Sequence, residues 1–89
     1  MPRYLVERTF QEGLGLPSPN DSEQDRMLFI ENNTWLGVVW LHSYVSPDGK
    51  KSYCIYDAPN PEAVRQAAIR NQLPLDRITE VRLLDPFLF

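Results

Sequence analysis

The sequence predicts an α+β domain of the ferredoxin-like βαββαβ class, an antiparallel sheet carrying two helices on one face. Three observations lead there. Four β-rich runs of strand length and two helix signals follow one another as strand, helix, strand, strand, helix, strand. The two middle strands flank a specific turn, Ser46-Pro47-Asp48-Gly49-Lys50. At 89 residues, the chain has room for a single domain, 1–89, with a limited core.

Each element has a local reason. In RYLVERTF, Tyr4, Val6 and Arg8 fall on one face, and Arg3, Leu5, Glu7 and Thr9 on the other, as a strand requires. EGLGLPSPN is loop, rich in glycine and proline. Asp21 followed by Gln24 approximates a capping box, and Met27, Leu28, Ile30 and Trp35 recur at helical spacings, so a helix is expected over residues 20–34, with Gly37 beyond it. VVWLHSYVS and KSYCIYDA are β-branched and aromatic strands. Asn60-Pro61-Glu62 starts a second helix with a cap, a first-turn proline and an acid. Its buried side is Val64, Ala67 and Ala68, and Pro74 ends it. RITEVRLL is the fourth strand, broken by Asp85-Pro86. With both helices on one sheet face, the other face needs cover. A second copy's sheet is the economical one, which predicts a homodimer of the α/β-barrel type.

Composition narrows the function classes. The chain is 43% hydrophobic and 24% charged, as ordinary soluble globular proteins are. Nine Lys and Arg against twelve Asp and Glu give a net charge of −3, which argues against a nucleic-acid partner held by phosphate contacts. KSYCIYDA sits where an RNA-recognition sheet would place stacking aromatics, but Ile55 stands where a ring is wanted. The single cysteine, Cys54, excludes an intrachain disulfide and suits a reducing compartment. MPRYLVERTF has no apolar run of signal-peptide length, and nothing later approaches a membrane span. The expected location is cytoplasmic, away from membranes.

The stretch HSYVSPDGKKSYCIY holds the one histidine and the one cysteine of the chain. Proline presets a type I turn, and Gly49 in the left-handed position makes a three-residue hairpin loop with a bulge. Ser46 then faces Lys50, Tyr44 faces Ser52, His42 faces Cys54 and Trp40 faces Tyr56. The last six of these share one sheet face, with the His42 and Cys54 Cβ atoms roughly 5 Å apart. A two-residue turn would instead oppose His42 with Ile55 and send Cys54 to the other face.

A neighbouring imidazole and thiol suit nickel, zinc or copper. Two ligands are too few, so a second copy, water, or Glu7, Asp57 or Glu80 has to complete the shell. The spacing matches no standard zinc motif. The alternative is a small-molecule or enzymatic pocket walled by Trp40, Tyr44 and Tyr56, with His42 as acid and base. No orienting third residue and no G-x-S-x-G or H-E-x-x-H motif supports catalysis. Simple packing, with a tyrosine hydroxyl satisfying the imidazole, accounts for the same residues. Glu7, Arg8, Glu80 and Arg82, charged residues inside strands, are expected in cross-strand pairs or a dimer seam; any that is buried needs a partner or a ligand.

WLHSYVSPDGKKSYCIYDAPNPEAVRQAA, NQLPLDRITEVRLLDP and the opening MPRYLVERTF resemble a family of small bacterial proteins, largely of unknown function, whose characterised example is a nickel-binding protein. The resemblance spans nearly the whole chain outside residues 11–33. It implies a dimeric ferredoxin-like fold, nickel bound at the dimer surface, and metal sequestration. The joint expectation is a cytoplasmic, non-catalytic homodimer binding a divalent transition metal, nickel by resemblance, with His42 as nitrogen ligand and Cys54 as a second.

Overall fold

A computed structural model of the chain describes residues 1–13 and 36–87. Strands β1 (Arg3–Thr9), β2 (Val39–Val45), β3 (Lys51–Asp57) and β4 (Arg77–Val81), with helix α1 (Pro61–Arg70), form a small α+β fold. The sheet is antiparallel, in the order β2-β3-β1-β4. That order, with β1 and β3 central, is compatible with a ferredoxin-like arrangement. The helix expected over residues 20–34 lies outside the described residues. No helix among the described residues is long and apolar enough to cross a membrane.

Alternation in β1 and β3 builds the core. Tyr4, Val6 and Arg8 point inward beside Tyr56, Cys54 and Ser52, their register partners, and all six are buried. Val64, Ala67 and Ala68 of α1 are buried too, and the first two join Tyr4, Val6, Cys54 and Tyr56 in one cluster. The helix begins where expected. The Asn60 side chain accepts a 2.8 Å bond from the Ala63 amide, with Pro61 in the first turn. It ends in a two-bond cap: the Leu73 amide donates to the Ala68 carbonyl at 2.9 Å, and the Gln72 amide to Ile69 at 3.1 Å. Gln72 occupies the left-handed position, φ 57°, that glycine usually fills. β4 is shorter than the run RITEVRLL suggested, and Leu83 and Leu84 beyond it are exposed.

The outer face of the two central strands carries Arg3, Leu5, Glu7 and Thr9 opposite Asp57, Ile55, Tyr53 and Lys51, most of them half-buried. Arg3 and Asp57 form a cross-strand ion pair with bonds of 2.9 and 3.3 Å. Edge strand β2 exposes Val39, Trp40, Leu41, Tyr44 and Val45.

Candidate functional site

The hairpin turn forms as its residues dictate, but its loop is one residue longer than expected. The Gly49 amide donates to the Ser46 carbonyl at 2.8 Å, and Gly49 has φ 73°. The type I turn and its left-handed glycine are therefore present. Lys50, however, does not pair with Ser46. Its amide donates to the Asp48 carboxylate at 2.9 Å, and closure falls to Lys51, whose carbonyl accepts from the Ser46 amide at 2.9 Å. The Ser46 hydroxyl locks this geometry, donating to Asp48 at 2.7 Å and accepting from the Lys51 amide at 3.0 Å. Hydrogen bonds from the Lys50 amide and Ser46 hold the Asp48 carboxyl below the usual carboxylate range.

A one-residue slip turns every side chain of a strand over. His42 pairs with Ile55, Ser43 with Cys54, Tyr44 with Tyr53 and Val45 with Ser52. The expected facing of His42 with Cys54 is thereby corrected: His42 is on the outer face and Cys54 on the core face, so a single ion cannot touch both. The aromatic pocket is corrected for the same reason, since Tyr44 lies outward while Tyr56 is buried inward. A bulge at Leu41 undoes the slip, and Trp40 faces Tyr56 as expected. The Trp40 indole donates 2.8 Å to Ser43 Oγ across that bulge.

On the outer face the exposed His42 ring meets Tyr44 edge-on, centroids 5.3 Å apart. Of the carboxylates considered for a shell, Asp57 is engaged by Arg3, whose hydrogen bond and charge keep it well ionised. No cluster of three or more His, Cys, Asp or Glu side chains suited to a metal occurs among the described residues. A cleft of about 350 Å³ at the β1–β4 end, lined by Met1, Pro2, Arg3, Glu80, Val81 and Arg82 among others, includes neither His42 nor Cys54.

The inner face holds an unexpected group of polar residues. Arg8 is 2% exposed, beside Ser52 at 3% and Tyr56 at 3%. The guanidinium carbon lies 5.7 Å from the Tyr56 ring centroid. Among the described residues, Arg8 Nε and Nη1 are buried without a hydrogen-bond partner. Cys54 Sγ lies 3.8 Å from Ser52 Oγ. Burial pushes the Tyr56 hydroxyl above the ordinary tyrosine value; the Arg8 charge pulls the other way and does not prevail. The alternation in RYLVERTF already set Arg8 on the face of Tyr4 and Val6, which is the signal that marks it.

Comparison with known proteins places this geometry. Residues 4–81 match the model of a family described as nickel responsive protein SCO4226-like. No curated protein matches the chain. The crystal structure of SCO4226 from Streptomyces coelicolor A3(2) aligns with a TM-score of 0.72, covering 93% of this chain and 99% of that one at 19% sequence identity. At that identity the likeness is one of fold.

Proposed function

The chain belongs to the SCO4226-like family of nickel responsive proteins, and from that premise we propose a homodimer that binds a divalent transition metal, nickel by kinship, in cytoplasmic sequestration or homeostasis rather than catalysis. The domain would complete the ferredoxin-like βαββαβ plan with a first helix and pair its sheet with a second copy's in α/β-barrel fashion. The observation that carries the metal role is the placement of His42. It is the one imidazole of the chain, exposed on the outer sheet face that a second copy would cover. One nitrogen is a fraction of a nickel shell, so two copies presenting their imidazoles across a shared interface, with water or carboxylates beside them, would supply the rest. Cys54, on the core face, stands apart from that shell.

Calorimetric titration of nickel into wild type and His42→Ala tests the assignment. Wild type is expected to bind saturably, and the variant at least about tenfold more weakly, the loss of one good ligand. Equal affinity in the two removes His42 from the site.

A further inference from the structure

We propose that the buried Arg8 is the anchor of a second site, on the core side of the sheet, that takes a small carboxylate or other oxyanion. This goes beyond the metal role and uses neither the His42 face nor nickel. An arginine keeps its proton inside proteins, so its charge cannot be shed on burial as a lysine's can. Burying an unpaired charge is costly, and native structures pair such groups or give them a ligand. Arg8 has neither ion pair nor hydrogen bond at Nε or Nη1 among the described residues, although it is 2% exposed.

The described neighbours do not neutralise it. The Tyr56 ring face offers a cation–π contact at 5.7 Å, which attracts a cation without supplying a counter-charge. Burial keeps the Tyr56 hydroxyl protonated, a neutral hydrogen-bond donor rather than a phenolate. Ser52, Arg8's register partner, contributes a hydroxyl, and the Cys54 thiol contacts it. A guanidinium with Nε and Nη1 unpartnered among the described residues, a phenol and a serine hydroxyl together form a donor-rich set whose acceptors are neutral hydroxyl oxygens, with no anionic oxygen to balance the charge. That is the complement of a carboxylate or phosphate, whose oxygens accept from each of them. Val6 and Tyr4, packed on the same face, make the surroundings apolar, which favours a singly charged carboxylate over a more highly charged phosphate.

The experiment is thermal unfolding of the full chain with acetate, benzoate, citrate or inorganic phosphate at fixed ionic strength, without nickel. At least one of the carboxylates is expected to raise the wild-type Tm saturably by about 5 °C or more. Arg8→Met, which keeps the length and removes the charge, should abolish the shift, and Tyr56→Phe should reduce it. Should Arg8→Met not fold, a titration of wild type followed through the arginine Nε–H resonances substitutes. A buried Nε–H that moves saturably with the same anion supports the site. Wild-type Tm and Nε–H resonances that ignore every anion overturn it, as does an equal Tm shift in Arg8→Met. Phosphate acting while no carboxylate does would overturn the preference for a carboxylate. Since nickel is absent throughout, failure here leaves the His42 titration untouched, and the reverse also holds.

Discussion

Arg3 donates two bonds to Asp57, and together with the backbone amide that binds Asp48 it contributes to how the fold responds to acid. Both carboxyls are held below the usual range, Asp57 chiefly by the Arg3 hydrogen bond and Asp48 chiefly by the Lys50 amide. A group more acidic when folded adds stability above its unfolded value, and loses it as pH falls through the lower folded one. Tm should therefore stay flat for these groups between pH 7 and about 5 and decline below about pH 4, where free aspartate protonates. Asp57→Asn should lower Tm at neutral pH and flatten part of the acid decline. An acid slope in Asp57→Asn as steep as in wild type would rule out this pair as a contributor. Arg8 teaches the complementary lesson at the same scale. Alternation in RYLVERTF showed which way it points, while the unpartnered Nε and Nη1 become visible only when Ser52, Cys54 and Tyr56 of another strand, among the described residues, are placed beside it.

Among the elements, α1 and the hairpin show what local chemistry decides. Asn60, Pro61 and Glu62 start the helix where their types say, because capping needs no more than the next three residues. Its end is less conventional, with Gln72 bearing the left-handed strain. Gln72→Gly should relieve about 1 kcal/mol, raising Tm by roughly 4–8 °C for a domain of this size. An unchanged or lower Tm would show that the side chain compensates the strain. The hairpin was legible as a hairpin, its turn type included, yet its register was not. Pro47, Asp48 and Gly49 specify the turn but leave open whether Lys50 or Lys51 closes it. That choice rests on the Ser46 hydroxyl and Asp48 carboxylate capturing the two following amides. One residue at the tip then decided which face His42 took. The bulge at Leu41, which returns Trp40 to its expected partner, had no sequence signal of the glycine or proline kind.

For the whole molecule, the antiparallel sheet and the described core follow from the run of elements, because four strands of these lengths and helix α1 have few ways to bury one apolar face. The proposed dimer would use the opposite face. Leu5 and Ile55 are register partners on the two central strands, flanked by the Arg3–Asp57 pair and by Glu7 opposite Tyr53. An apolar pair in mid-sheet with a charged and aromatic border has the layout of an interface centre and rim. His42, the register partner of Ile55 on edge strand β2, adjoins that centre. If two copies meet here, dimerisation and metal binding are one event. Ile55→Glu should then yield a monomer by light scattering with an unchanged far-ultraviolet spectrum, because the substituted side chain stays on a face that water reaches. The same variant should lose nickel affinity about as much as His42→Ala, since each copy alone retains a single imidazole. A dimer that survives Ile55→Glu locates the interface elsewhere. A monomer that binds nickel with full affinity separates the metal from the assembly, and the shell would then have to be built within one chain.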